Sequence, residues 1–190
     1  MAATKRITCE GLPTGRTDLI RNGLLVGLLS NHYETQRMFQ DVDAEKKLGA
    51  PPSQHIEGLA PRNGFRFARG GGRHFDAIPG TSPTNVVIHG DDSLPLEELV
   101  KRIGDGLYIG RIWYTYPING ISAGDFTCTV IGDSFRIRNG RIAEPIRANT
   151  LRINDSIHNV LGNIIGISSK QRETMVWASD QIVYAPEIAV

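Results

Sequence analysis

The sequence predicts an α+β domain in which short strands and tight turns outnumber helices, and three observations carry that expectation. Glycine, at 21 of 190 residues, and proline, at 10, favour turns and short strands over a helical bundle. Asn-Gly stands twice between apolar runs, the strongest short-range hairpin signal. Two stretches repeat apolar residues at the spacing of a helix with one buried face. A chain of 190 residues can bury a real core, so 1–190 is read as a single domain.

The elements follow in order. Between Thr17 and Leu29, Asn22-Gly23 supplies the two positive φ values of a type I′ turn. From about 51 to 83, Pro51, Pro52, Pro61, Pro79 and Pro83 alternate with Gly64, Gly70, Gly71, Gly72 and Gly80, which predicts a long irregular loop. A helix is expected from Ser93 to Ile103, with Asp92 and Ser93 as capping candidates, Leu96, Leu99, Val100 and Ile103 on its buried face, and Gly104 and Gly106 as its stop. Strands are expected over 106–116 and 125–131.

The second hairpin signal lies at Ser134–Ile142, where Phe135, Ile137 and Ile142 alternate with Arg136, Arg138 and Arg141, so one face should be buried and one wet. A second helix is expected from near Asn154-Asp155-Ser156, with Ile157, Val160, Leu161 and Ile164 on one face. Strands at 174–177 and 181–184 close the chain. Ile20–Gly23 and Ile137–Gly140 are the same tetrapeptide, but hairpin turns converge on these residues, so a duplication carries little weight.

Composition excludes several function classes. With 21 Lys plus Arg against 20 Asp plus Glu, net charge is +1, and no global field draws nucleic acid or an anionic membrane. The N-terminus lacks a signal-peptide core and apolar runs such as Leu24–Leu29 are far too short to span a bilayer, so a soluble cytoplasmic protein without membrane partners is expected. Cys9 and Cys128 are too few for a disulfide framework and are read as buried or idle thiols.

No catalytic set and no metal cluster is visible. His32, His55, His74, His89 and His158 are scattered, with no pair at helical metal-ligand spacing, and HExxH is absent. Ser168-Ser169-Lys170 is not a nucleophile elbow, and Gly70-Gly71-Gly72 lacks the spacing of a phosphate loop. The stretch from 62 to 75 interleaves Arg62, Arg66, Arg69 and Arg73 with Phe65, Phe67 and Phe75, a pattern that can hold single-stranded nucleic acid by phosphate contact and base stacking. The near-neutral net charge favours the plainer alternative of an Arg-rich loop or clamp, and nucleic acid is not the expected partner.

Several motifs recur in a fixed order. Cys9-Glu10-Gly11-Leu12-Pro13-Thr14 precedes Thr17-Asp18-Leu19-Ile20-Arg21-Asn22-Gly23-Leu24-Leu25; Pro83-Thr84-Asn85 leads to Gly90-Asp91; Gly124-Asp125-Phe126 precedes Phe135–Ile146. In this order, over nearly the whole chain, they resemble the C-terminal domain of the TldD/PmbA family, metalloprotease subunits also catalogued as modulators of DNA gyrase. The resemblance implies a mostly antiparallel, barrel-like sheet domain with two or three packed helices. It also implies an N-terminal domain that, in catalytic subunits, carries an HExxxH zinc motif completed by a cysteine of the C-terminal domain.

Here HExxxH is absent, and Ile165-Gly166-Ile167-Ser168 puts serine where that cysteine is expected. A neutral hydroxyl is a poor zinc ligand beside a thiolate. The implied role is therefore a non-catalytic subunit, inactive alone, with zinc expected only in a catalytic partner or a missing N-terminal domain. The expected partners are a TldD/PmbA-like subunit, in a hetero- or homodimer, and an unfolded or precursor peptide. Gly124, Asp125, Phe126 and Ser168 are the candidates for a substrate or partner surface, although Asp125 also suits a plain turn. The rival readings are a stand-alone peptide- or nucleic-acid-binding module and a hydrolase built on other residues.

Overall fold

A computed structural model describes residues 1, 3–67, 75–176 and 181–190. In the first part of the chain lie strands β1 (Ile20–Arg21) and β2 (Leu24–Leu25), helices α1 (His32–Gln40) and α2 (Ala44–Leu48), and strands β3 (Gly64–Phe65), β4 (Gly80–Thr81) and β5 (Asn85–Val87). Helix α3 (Leu96–Ile103) follows, then β6 (Gly106–Tyr108), β7 (Ile112–Pro117), β8 (Asp125–Val130), β9 (Phe135–Arg138) and β10 (Arg141–Pro145). The chain ends with β11 (Leu151–Ser156), α4 (Ile157–Gly162), β12 (Gly166–Met175) and β13 (Ile182–Ala189).

The class is α+β with mostly antiparallel sheet, as expected. The sheets are open, with orders β1-β2, β3-β4, β10-β9-β6, β11-β8-β7 and β12-β13-β5; no barrel closes among the described residues, so "barrel-like" describes them loosely. One pair, β5 with β13, is parallel, in the register Asn85↔Ile182 to Val87↔Tyr184. Among the described residues there are four α-helices.

The chain divides into two units, one of Met1–Val87 with Glu173–Tyr184 and one of Ile88–Arg172 with Ala185–Val190. In the first, Ala3, Ala44, Leu59 and Phe65 are the buried apolar residues, and polar ties support them. Asn31 caps α1 by accepting from the Glu34 amide at 2.8 Å and donates to the Pro79 carbonyl at 3.0 Å. Thr35 donates to the Leu59 carbonyl at 2.8 Å. Glu10 accepts from the His32 amide at 3.0 Å, so a carboxylate sits at the positive end of α1. Between 51 and 83 the described elements are a helical turn at Pro52–His55 and the two-residue strands β3 and β4.

In the second unit the buried apolar residues are Leu99, Val100, Cys128, Val130, Ile137 and Ala189. Helix α3 begins at Leu96 with Pro95 as N-cap, three residues later than the pattern suggests, and Ser93 does not cap it. Leu94 precedes a proline, which biases it towards extended backbone, and it is held there by donating to Ile167 O and accepting from the Ser169 amide. The second predicted helix starts near 154–156 as expected: Ser156 caps it by accepting from the His158 amide and Ile157 is its first residue, while Asn154 and Asp155 pair with Thr127 and Phe126 in the β11–β8 ladder.

The strand predicted over 106–116 is two strands in two sheets. Gly110 lies in the break, where its backbone runs so close to the Asp133 carbonyl that a Cβ would collide with it. Alternation at 134–142 holds for β9, where Ile137 is 4% exposed. It fails for Ile142, because β10 is a sheet edge and leaves Ile142 46% exposed.

Candidate functional site

The sheet β11-β8-β7 offers the most accessible chemistry. Its centre, β8, buries Cys128 and Val130 to 1% exposure, and that burial pushes the Cys128 thiol pKa up, away from reactivity. Beside them Thr127 donates to Asn154 Oδ1 at 2.6 Å and accepts from Arg152 Nε at 2.9 Å, so its buried hydroxyl is satisfied.

The edge strand β7 is different, because every one of its six residues is exposed. Trp113 and Tyr114 meet edge to face at 5.9 Å, and Tyr114 and Tyr116 lie 6.1 Å apart at a 30° tilt. Register slips between Trp113↔Thr129 and Tyr116↔Thr127, so two residues, Tyr114 and Thr115, oppose Cys128 alone. Tyr114 takes φ 47° there, a β-bulge that re-aims its ring. Bulge and Pro117 together shorten the edge open to a further strand, since proline offers no N–H.

Gly124, Asp125 and Phe126 open β8 next to this edge. Gly124 has φ +78°, and a Cβ there would press on Ile157 and His158. Its carbonyl accepts from the Ile157 amide at 2.8 Å, which fastens the turn to α4. Asp125 accepts from Asn119 Nδ2 at 3.2 Å through its carboxylate and from the Ile118 amide at 2.8 Å through its carbonyl. A turn-forming role for Asp125 is therefore visible, and its half-buried carboxylate still reaches the surface. Close by, the Asn159 amide donates to Asp155 and holds that carboxyl below the usual aspartate range.

Ser168 lies apart from this turn, in β12, and the two share no hydrogen-bond partner. At 4% exposure it donates to the Lys170 carbonyl at 2.7 Å and accepts from the Glu187 amide at 2.8 Å. Both contacts are to backbone, so the hydroxyl fastens β12 to β13. Nearby, Tyr108 donates to Glu187 Oε1 at 2.9 Å and accepts from Arg172 Nη2 at 2.6 Å, while Arg172 pairs with Glu187 at 2.7 Å. Burial, reinforced by the Glu187 carboxylate, holds the Tyr108 phenol above its ordinary pKa.

Of the four arginines of the interleaved stretch, Arg62 is committed to the Arg16 carbonyl and to Glu57, both at 2.8 Å. Arg66 reaches the Phe75 carbonyl at 3.4 Å, and Arg69 and Arg73 lie outside the described residues. Phe65 and Phe67 stack on each other at 5.1 Å, with Phe65 buried. Among the described residues no three His, Cys, Asp or Glu side chains come together to hold a metal ion. The Ser168 hydroxyl is already engaged by two backbone partners.

The aromatic edge is what residue-by-residue reading missed. Its signal was Ile112-Trp113-Tyr114-Thr115-Tyr116: successive residues of a strand point to opposite faces, so a run with this many large side chains places some of them on each face.

The fold is thus α+β, with open, mostly antiparallel sheets and an exposed aromatic edge on β7. The family model described as the PmbA/TldA metallopeptidase C-terminal domain matches residues 2–190, and the chain belongs to that family. It is 28% identical over 159 residues to Metalloprotease slr0863 of Synechocystis, covering 84% of this chain and 27% of that protein. Its fold is similar to TldE from Thermococcus kodakarensis (TM-score 0.64, 19% identity, 97% of this chain and 34% of that one). It is also similar to a Thermotoga maritima protein described as a modulator of a DNA gyrase (TM-score 0.57, 19% identity, 98% and 34%). The chain thus spans about a quarter to a third of the relatives it matches. Among the described residues no helix is long and apolar enough to cross a membrane.

Proposed function

We propose that this chain acts as the C-terminal-type, non-catalytic part of a TldD/PmbA-like metallopeptidase complex, and that β7 holds an extended segment of an unfolded or precursor peptide. The observation that carries the reading is the exposed edge of β7 with its Trp113, Tyr114 and Tyr116 rings. An extended peptide can add to a sheet edge through main-chain hydrogen bonds, which are indifferent to its sequence. The bulge and Pro117 restrict that pairing to a short stretch, so the rings supply much of the contact. Gly124-Asp125-Phe126 shapes the adjoining turn. Hydrolysis, and the zinc ion it uses, belong in this proposal to a TldD/PmbA-like partner.

Fluorescence anisotropy with a labelled unstructured peptide, with and without a full-length family member, tests the reading. Binding should weaken about tenfold in Tyr114→Ala/Tyr116→Ala, a loss of about 1.4 kcal/mol. Absence of binding under both conditions, or binding indifferent to the two rings, overturns it.

A further inference from the structure

The two faces of sheet β10-β9-β6 differ in chemistry. Phe135 and Ile137 of β9 share one face with Tyr108 of β6, whose ring lies 6.4 Å from that of Phe135. Alternation turns Arg136 and Arg138 to the other face. Register puts Arg141 of β10 directly opposite Arg138, and Leu107 of β6 directly opposite Arg136, so the three guanidiniums and Leu107 stand on the same side. All four side chains are exposed.

The charge on this face is only partly answered. Directly opposed side chains have Cβ atoms about 4.5–5.5 Å apart, and like charges placed there destabilise the pair. Arg138 is relieved by Glu144, both of whose carboxylate oxygens accept from its Nε at 3.1 Å. A β-bulge delivers that carboxylate: between Ile142↔Ile137 and Pro145↔Phe135, Ala143 and Glu144 oppose Arg136 alone. The carboxylates flanking these strands are committed elsewhere, Asp133 to Arg111, Glu98 to Lys101 and Asp105 to the Asn139 amide. Arg136 also attracts Glu144, but among the described residues neither Arg136 nor Arg141 forms an ion pair.

The chemistry of an occupant follows. Glu144 is an internal example of the group this face accepts, a carboxylate against a guanidinium, joined by charge-assisted hydrogen bonds. Arg136 and Arg141 are diagonal neighbours across the ladder, about 7–8 Å apart. In an extended chain, residues i and i+2 point the same way about 6.8 Å apart, so acidic side chains at alternate positions match the two arginines. Nucleic acid fits less well. Single strands are held by rings that stack on bases, and the rings of this sheet, Tyr108 and Phe135, lie on its other face. Two unpaired guanidiniums also fall short of the roughly 6–10 phosphate contacts behind strong electrostatic binding.

We propose that the face formed by Arg136, Arg138 and Arg141 docks an extended acidic peptide segment with carboxylates at alternate positions, as in Glu-x-Glu. The inference goes beyond the reading of β7, which belongs to another sheet and pairs with main chain whatever its sequence, whereas this face selects for charge.

Fluorescence anisotropy on the whole chain at low salt tests it, with a labelled peptide alternating Glu and Thr and its neutral counterpart alternating Gln and Thr. The acidic peptide should bind, and the neutral one roughly tenfold more weakly. Arg136→Gln/Arg141→Gln should weaken the acidic peptide about tenfold, equivalent to about 0.7 kcal/mol at each of two exposed ion pairs. The circular dichroism spectrum should stay the same, and Lys46→Gln, at an exposed cation of α2, should leave binding unchanged. Glu144→Gln removes the built-in competitor and should tighten binding about threefold. Tyr114→Ala/Tyr116→Ala should leave it unchanged, which separates this face from β7. A short oligothymidylate of equal charge should bind more weakly than the acidic peptide. Failure of the acidic peptide to bind, equal binding of its neutral counterpart, tighter binding of the oligothymidylate, or affinity that follows the β7 rings instead of the two arginines overturns the proposal.

Discussion

Ile-Arg-Asn-Gly occurs at 20–23 and at 137–140, and both copies turn in the same way, with the asparagines at φ 51° and 48° and the glycines at 77° and 69°. The resemblance ends at the turn. In the second hairpin β6 pairs along β9, with Gly106 opposite Ile137. The loop after α3 seals the turn: the Gly140 amide donates to Gly104 O at 2.7 Å and the Asn139 amide to Asp105 Oδ1 at 3.1 Å. In the first hairpin nothing equivalent is present among the described residues, and Ile20 stands in solvent. Turn type is thus a local property of four residues, whereas burial is set by residues some thirty positions away that cover one hairpin and not the other.

The sharpest way to break this comparison is to truncate the same residue in both places. Ile137→Ala should cost about 2–5 kcal/mol, the usual range for emptying a buried aliphatic site. Ile20→Ala should change stability by no more than about 0.5 kcal/mol, as at exposed sites. Urea denaturation of both variants decides it, and equal losses would mean that Ile20 is covered after all.

Adding a methyl at the turns gives a smaller contrast. A non-glycine residue in the left-handed region costs roughly 1–2 kcal/mol, which is the expected loss for Gly23→Ala. At Gly140 the new Cβ would also sit 3.0 Å from the Cα of Lys101, so Gly140→Ala should lose about 1 kcal/mol more through overpacking. Thermal melts of the pair measure the difference, and a Gly23→Ala variant at least as damaged as Gly140→Ala would contradict the open environment of the first turn.

What was legible in the sequence follows the same division. Both Asn-Gly turns, the apolar face of α3 and its stop at Gly104 could be read because neighbouring residues determine them. The start of α3 could not: Leu94 is held extended by hydrogen bonds to Ile167 and Ser169, far away in sequence. The split between β6 and β7 depends on Gly110 meeting the Asp133 carbonyl, another distant contact. Among the site residues, the order of motifs pointed to Gly124-Asp125-Phe126 and to Ser168. Neither the internal satisfaction of the Ser168 hydroxyl nor the exposure of β7 could be read, since both follow from which strands become neighbours.

Acid separates the hairpins by the least. Hydrogen bonds from Arg16 and Arg21 hold the Asp18 carboxyl below the usual value of 3.8. In the second hairpin, a bond from its own backbone amide and another from Arg138 hold Glu144 below 4.5. Each carboxyl is more acidic folded than unfolded, so as pH falls the unfolded chain takes up its proton first. Stability is therefore complete above the ordinary values and drains away as pH falls through the folded ones. Both groups are exposed, so the loss is small and shrinks further in salt. The structural consequence should still differ, because β6 holds the second hairpin when Glu144 is neutralised, whereas the first loses one of the few ties at its root. Amide exchange followed down the acid limb should show Val26 losing protection before Gly140, with Asp18→Asn producing that loss already at neutral pH. Loss at Gly140 first would place the weaker hairpin at the other end of the comparison.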